Sequence, residues 1–177
     1  MTTEPENPIS GVKRAIRDEV WRLEESVMWS AQSQFEQAKR WRFVNLALGI
    51  PAAVLAALSG AAALSETTSP LVVGISALLA AGASTTATTL NAAQKTNQCS
   101  AAANAYLEVQ TAARQLRLID MHSLGGEDLR ARLQEITSRR DEINKTAEVV
   151  SKFAYKRAAK NISSGGQSYE ADGSGDS

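Results

Sequence analysis

Two long uncharged runs separated by a short polar connection constrain this sequence more than any other feature. Across residues 43–94 the only formal charge is Glu66, and all 19 Lys and Arg residues lie outside that stretch. The first run, 43–65, would cover roughly 34 Å as a helix, against a hydrocarbon core of about 30 Å. The second run, 71–90, is also long enough to span. The sequence therefore predicts two transmembrane helices, 43–65 and 70–93.

The connection between the two runs determines how the predicted spans are arranged. SETTSP (65–70) is short and polar, and Pro70 suits the first turn of a helix, so the spans should be antiparallel neighbours. Cations flank the pair on one side only, and the connection has none. The flanking cations are Lys39, Arg40, Arg42 and Lys95. Because cytoplasmic flanks carry the excess of Lys and Arg, both termini are predicted to be cytoplasmic.

The flanking segments predict three long amphipathic helices, 9–42, 95–121 and 127–161, the last two separated by HSLGG (122–126). Each has apolar residues at three- and four-residue steps, and such stripes need partner helices. The stripes are Ile9, Val12, Ile16, Val20, Leu23 and Val27; Tyr106, Val109, Ala113 and Leu116; and Leu129, Leu133, Ile136, Ile143, Ala147, Val150 and Ala154. A cytoplasmic helical bundle is therefore expected.

Together these segments predict an all-α membrane protein, in which a two-helix transmembrane hairpin carries long cytoplasmic helices that form a bundle. Residues 9–162 make up one domain. Residues 1–8 are predicted to be a flexible arm, and 163–177, rich in Ser, Gly and acidic residues, to be a disordered tail.

Composition argues against several classes of function. The net charge is zero, whereas nucleic-acid binders usually carry a basic face, so no nucleic-acid partner is expected. One cysteine, Cys99, and one histidine, His122, provide no metal-binding motif, and no cofactor motif is present. No candidate nucleophile and base have a spacing that would bring them together, so we do not expect an enzyme.

The second predicted span carries a small, weakly polar stripe. Ser84, Thr88, Asn91 and Lys95 fall within about 60° of one another on a helical wheel. One interpretation is that these side chains line a water-filled pore when several hairpins assemble in a ring. The other is that small residues serve only close packing between transmembrane helices.

Two further groups of residues predict contacts with the lipid bilayer. An aromatic and basic cluster before the first span is typical of an interfacial anchor. It consists of Arg40, Trp41, Arg42 and Phe43. A basic group near the end of the last predicted helix either contacts anionic lipid or is a solvated helix terminus. It consists of Lys152, Lys156, Arg157 and Lys160.

The order of segments matches a known arrangement. A long charged helix ends in KRWRF (39–43), two spans rich in small residues follow, and the second has a polar exit into AAQKTNQCSAAANAYLEVQTAARQLRLID (92–120). Over residues 19–162 this layout resembles the SLATT family, the SMODS and SLOG-associating two-transmembrane effector domain. The segment 92–120 looks most like the family's post-membrane helix.

The resemblance implies a pore-forming or membrane-disrupting effector of a bacterial conflict or antiphage system, located in the inner membrane. Such an effector is triggered through its cytoplasmic helices by a separate nucleotide-signal sensor or synthase protein, and it depolarises the membrane. We expect a homo-oligomer whose second span lines an ion path. One alternative is a non-conducting membrane anchor that recruits a soluble partner through the bundle. Another is a soluble Ala-rich protein in which the two runs form a buried core.

Overall fold

The computed structural model describes residues 8–63 and 69–166, and within these ranges all regular structure is helical. The elements are α1 Pro8–Ala63, α2 Pro70–Leu90, α3 Ala92–Gln115, a π-helical turn Leu116–Asp120, α4 Met121–Ser123, α5 Gly126–Thr146 and α6 Lys152–Ser163. The all-α class is confirmed for this part of the chain. The predicted arm (1–8) and tail (163–177) lie outside the described residues, except for Pro8 and the segment 163–166.

The chain divides into two compact units, and α1 and α3 each contribute residues to both. The first, here called the bundle unit, contains the described residues of 1–36 and 99–177. The second, the apolar unit, is residues 37–98 and contains both predicted spans. The predicted helices 9–42 and 43–65 form one uninterrupted helix, α1, up to Ala63.

The predicted stripes form the core of the bundle unit. Buried residues from α1, α3, the π-helical turn and α5 pack into one cluster. They are Ile16, Val20, Leu23, Val27, Ala31, Tyr106, Val109, Ala113, Leu116, Leu129 and Ile136. Val12 is half exposed, and Leu133, Ile143 and Ala147 are only partly buried against the cluster, while the side chain of Ile9 lies outside the described residues. At the edge of the core, Arg117 Nε donates to Glu24 Oε2 at 2.9 Å. The prediction that these helices bury their stripes together is confirmed.

The predicted helix 127–161 is two helices. Residue 147 has an extended backbone, with φ −65° and ψ 138°, and the chain stays non-helical until Ser151 caps α6 by accepting a hydrogen bond from Ala154 N at 3.3 Å. Two β-branched valines precede this cap, and such residues favour extended backbone. Gln34 Nε2 also donates to the carbonyl oxygen of Glu148 at 2.8 Å. These contacts outside the helix stabilise the break.

The apolar unit has a break of its own at Asn91. Its backbone is left-handed, with φ 47° and ψ 42°, and its N–H donates to the carbonyl oxygens of Ala87 and Thr88. Asn tolerates this conformation better than most residues that carry a Cβ. The predicted span 70–93 therefore ends at Leu90, and α3 begins at once with Ala92.

Candidate functional site

The apolar unit exposes an unusual amount of apolar surface. Helices α1 and α2 each contain a segment long and apolar enough to cross a membrane, and only 11% and 6% of the most apolar window in each is buried. The exposed large side chains include Leu46, Ile50, Val54, Leu58, Leu71, Val72, Ile75, Leu78 and Leu79. A surface of this extent marks a site of contact with lipid or with another protein.

Small residues form the contact between α1 and α2. The hydroxyl oxygens of Ser59 and Ser76 lie 2.6 Å apart, and each also lies within 3.0 Å of a carbonyl oxygen in its own helix. One hydroxyl therefore donates across to the other helix while its partner donates within its own. Ala52 and Ala80 are buried in the same unit. Small side chains let helix backbones approach closely, which is the usual packing of apolar helices.

Helix α2 presents three different sides, as successive residues turn about 100°. Ser76, which bonds to α1, and the buried Ala80 share one side. A second side is bulky, apolar and exposed, with Leu71, Ile75, Leu78 and Leu79. The third side is exposed but small, and we call it the small-residue face. It comprises Gly74, Ala77, Ala81, Ser84 and Thr88. Two of the four predicted pore-lining residues thus lie on an exposed face that does not contain the α1 contact.

The threonines of α2 are already hydrogen-bonded within their own helix. Each hydroxyl donates at 2.9 Å to the carbonyl oxygen four residues earlier, and this holds for Thr85, Thr86, Thr88 and Thr89. Only Thr88 was singled out from the sequence, although the run STTATT (84–89) predicts hydroxyls on several sides. An internally bonded hydroxyl has no unsatisfied donor, so it costs less to place against lipid.

The other two predicted pore-lining residues are Asn91, which lies at the break after α2, and Lys95, which lies beyond it. The helical wheel that grouped them requires a continuous helix from 84 to 95, and the left-handed backbone of Asn91 interrupts it. The Asn91 amide donates to Gln94 Oε1. Lys95 Nζ lies 4.5 Å from the ring centroid of Trp41. The grouping of Lys95 with Ser84 and Thr88 assumes a regular helix across Asn91, and it stays a prediction.

The predicted interfacial anchor is only partly exposed. Arg40, Arg42 and Phe43 are exposed, whereas Trp41 is half-buried and its Nε1 atom is buried without a hydrogen-bond partner. The ammonium of Lys95 over the indole is a cation–π contact, typically worth about 0.5–1 kcal/mol at exposed sites. Trp41 of the predicted interfacial anchor thus contacts Lys95, which the sequence analysis assigned to the predicted pore lining.

The predicted lipid-contacting cations all lie exposed on α6. Lys152, Lys156 and Lys160 recur every four residues and so form one row along the helix. Arg157 differs from them, because its Nε lies 3.6 Å from Glu36 Oε2 and its guanidinium lies 5.6 Å from the ring centroid of Phe153. Like charges at this spacing repel, so the row favours an anionic partner.

Comparison with models of protein families gives no match, and neither curated proteins nor solved structures yield a significant match to this chain. The resemblance to the SLATT family therefore rests on the order and character of the segments alone. The roles that it implies are proposals.

Sequence reasoning missed a buried polar segment of α1. The apolar stripe gives way after Ala31 to Gln32, Ser33, Gln34 and Glu36, all of them buried. Asn161 Nδ2 of α6 donates to Gln32 Oε1 at 3.0 Å, and Arg157 approaches Glu36. The sequence carried one signal, because Gln34 stands at a position where the apolar stripe should continue. Polar side chains buried together in this way indicate a specific arrangement of α6 or a binding site.

Proposed function

We propose that this protein is a multi-pass protein of the bacterial inner membrane, with both termini cytoplasmic. Its spans assemble into a homo-oligomer, and the second span lines an ion path that a trigger opens through the cytoplasmic helices. The observation that carries the proposal is the exposed small-residue face of α2, which lies apart from both the α1 contact and the bulky apolar side.

Exposure supports insertion of α1 and α2 in the bilayer. If they were the core of a soluble protein, most of their apolar surface would be buried. Instead, only 11% of the most apolar segment of α1 and 6% of that of α2 is buried. The contact between Ser59 and Ser76 supports a hairpin of antiparallel spans. The cations on both flanks support cytoplasmic termini, because the short connection has none.

The small-residue face supports assembly of several hairpins. Transmembrane helices associate through small residues because lipid provides no hydrophobic driving force between them. In a ring of hairpins, the bulky side of α2 would meet lipid, and the small-residue face would meet a neighbour or the central axis. Ser84 and Thr88 would then give the path a weakly polar wall.

Opening of the path would be a shift between two populations of the oligomer. A trigger favours the open assembly only if it binds that assembly more tightly than the closed one. The resemblance to the SLATT family supports a separate nucleotide-signal sensor or synthase protein as the source of the trigger. Depolarisation of the host membrane would then make the protein an effector in antiphage defence.

A non-conducting anchor is the second candidate, and the hydrogen bonds of the threonines favour it. Each threonine hydroxyl donates within its own helix, so Thr88 does not need water as an acceptor. In this case the bundle unit would recruit a soluble partner, and the small-residue face would only pack against another transmembrane helix.

Thr88 and Thr86 offer a matched pair of substitutions. Both are exposed on α2, both donate to a backbone carbonyl at 2.9 Å, and about 200° of helix rotation separates them. Thr88→Leu places a bulky side chain on the small-residue face, whereas Thr86→Leu extends the bulky side. Each variant would be overexpressed in bacteria with a membrane-potential dye, at matched abundance in the membrane.

An ion path predicts that the natural chain and Thr86→Leu depolarise the cells and that Thr88→Leu does not. Bilayer recordings of the purified oligomer should show the same order. If Thr88→Leu depolarises as strongly as the natural chain, or if the purified oligomer does not conduct under any activating partner, the ion path is refuted and the anchor remains.

A further inference from the structure

Helix α6 carries cations along its whole length. Its sequence, KFAYKRAAKNIS (152–163), contains three lysines and one arginine and no acidic residue. Arg157 approaches Glu36 of α1 at 3.6 Å. The lysines Lys152, Lys156 and Lys160, here called the lysine row, have no ion pair with any residue in the described ranges 8–63 and 69–166. The row therefore presents positive charge that the bundle unit does not neutralise.

The position of Lys152 argues against the interpretation of these cations as a solvated helix terminus. Because the predicted helix 127–161 breaks at residues 147–151, Lys152 is the first residue of α6. The helix dipole places partial positive charge at this end, where a cation is unfavourable. No acidic residue in the first turn offsets this effect. The dipole thus stabilises Lys160 but not Lys152, and an anion from outside α6 would stabilise the whole row.

The lysine row lies on the side of α6 that faces away from the bundle. Ala154 and Ala158 are fully buried, and Asn161 donates to Gln32 of α1, so these three residues mark the packed side. On a helical wheel the lysine row lies opposite them. The charged side of α6 is therefore open to a partner while the helix stays packed on α1.

Exposed apolar side chains accompany the lysine row. Phe153 is 58% exposed, and on a helical wheel it lies within about 60° of Lys156 and Lys160. Val149, just before α6, is 88% exposed, the highest fraction among the large apolar residues of the described part of the chain. Lysines next to exposed apolar side chains are typical of helices that lie in the interface of a membrane.

An anionic bilayer surface matches both properties of this side of α6. Lipid phosphates would pair with the lysine row, and the acyl boundary beneath them would take up Phe153 and Val149. A nucleic acid or a uniformly acidic protein surface would pair with the lysines but leave the apolar side chains in water. The proposed insertion of α1 and α2 would also tether α6 to the bilayer, which raises its effective concentration there.

We propose that α6 docks on the anionic cytoplasmic leaflet as an interfacial helix, with the lysine row among the phosphates and Phe153 and Val149 at the acyl boundary. This inference rests on the proposed insertion of α1 and α2. It adds a second, reversible contact of the chain with the membrane, made by the bundle unit. The charge of the lipid would then set the fraction of chains in which α6 is docked.

The test uses the full chain in nanodiscs, with the fluorophore NBD on a single introduced cysteine. Cys99→Ala first removes the buried native thiol. The probe is placed by Phe153→Cys, and lipids that carry a nitroxide high on the acyl chain quench it if it enters the bilayer. Leu118→Cys, at an apolar position of the bundle unit that is 53% exposed, is the matched control. Leu78→Cys in α2 reports on insertion of the predicted span.

We expect strong quenching at position 153, and none at 118, in nanodiscs of phosphatidylglycerol and phosphatidylcholine. Replacing the lysine row by Gln should lower the ratio of docked to undocked α6 roughly a hundredfold, because each cation contributes near an anionic surface. Phosphatidylcholine alone should have a similar effect.

The probe in α2 separates the two proposals. If position 78 is quenched while 153 is quenched no more than 118, or is quenched equally in both lipids, the insertion of the spans stands and the docking of α6 is refuted. If position 78 is not quenched, insertion fails and the docking proposal fails with it.

Discussion

The core of the bundle unit can be tested by replacing Leu129, whose side chain is fully buried. Leu129→Ala removes three carbon atoms, and at roughly 0.8 kcal/mol per buried methylene the lost transfer free energy is about 2.4 kcal/mol. The cavity left behind adds to this loss, and Leu→Ala changes in protein cores cost about 2–5 kcal/mol. We therefore expect the free energy of unfolding of the bundle unit to fall by about 3 kcal/mol.

Urea unfolding of the full chain in mild detergent measures this change. Fluorescence of Trp29 reports on the bundle unit if Trp21 and Trp41 are replaced by Phe. With an m-value of about 1–3 kcal/mol per molar urea, the midpoint should fall by about 1–3 M.

Leu118→Ala is the matched control, because Leu118 is 53% exposed and the residue types exchanged are the same. Its substitution should cost less than about 1 kcal/mol. Equal midpoints for the two variants, or a smaller change in Leu129→Ala than in Leu118→Ala, would refute the burial of Leu129 between helices of the bundle.

Two further predictions concern the junction after α2 and the basic row of α6. Because Asn91 has a left-handed backbone, Asn91→Leu should lower the free energy of unfolding by about 1–2 kcal/mol, whereas Asn91→Gly should not lower it. Thermal unfolding measures both variants. Equal losses of stability would contradict a backbone role for Asn91. Nanodiscs of anionic lipid should protect the α6 amides from hydrogen exchange more than nanodiscs of zwitterionic lipid, since each cation contributes about 1 kcal/mol. Replacing Lys152, Lys156 and Lys160 by Gln should abolish this difference in protection. Protection that does not depend on lipid charge would exclude the contact.

Local pattern predicted the helices and the core of the bundle unit well. Residues such as Val20, Tyr106 and Ile136 lie at three- and four-residue steps, and this spacing alone places them on one helix face. Val12 follows the same spacing and is nevertheless half exposed. Periodicity identifies the face of a helix but does not tell where the partner helices end.

The breaks at Asn91 and at residues 147–151 were not predicted. Both follow residues that fit a helix, and both depend on single residues with special backbone roles. Ser151 is a common type of helix cap, so that break had a sequence signal. Asn91 had a weaker one, because Asn is also ordinary within helices. Its left-handed conformation interrupts the regular helix between Thr88 and Lys95.

The candidate sites also include features that the sequence predicted and features that only the structure shows. The charge-free length of each run, the polar connection and the placement of the cations are properties of the sequence, and they determined the two apolar helices and the expected topology. Only the tertiary structure decided the contact of Lys95 with Trp41, the three sides of α2 and the burial of Gln32 and Gln34. They join residues from separate segments, and no local spacing records which segments will meet.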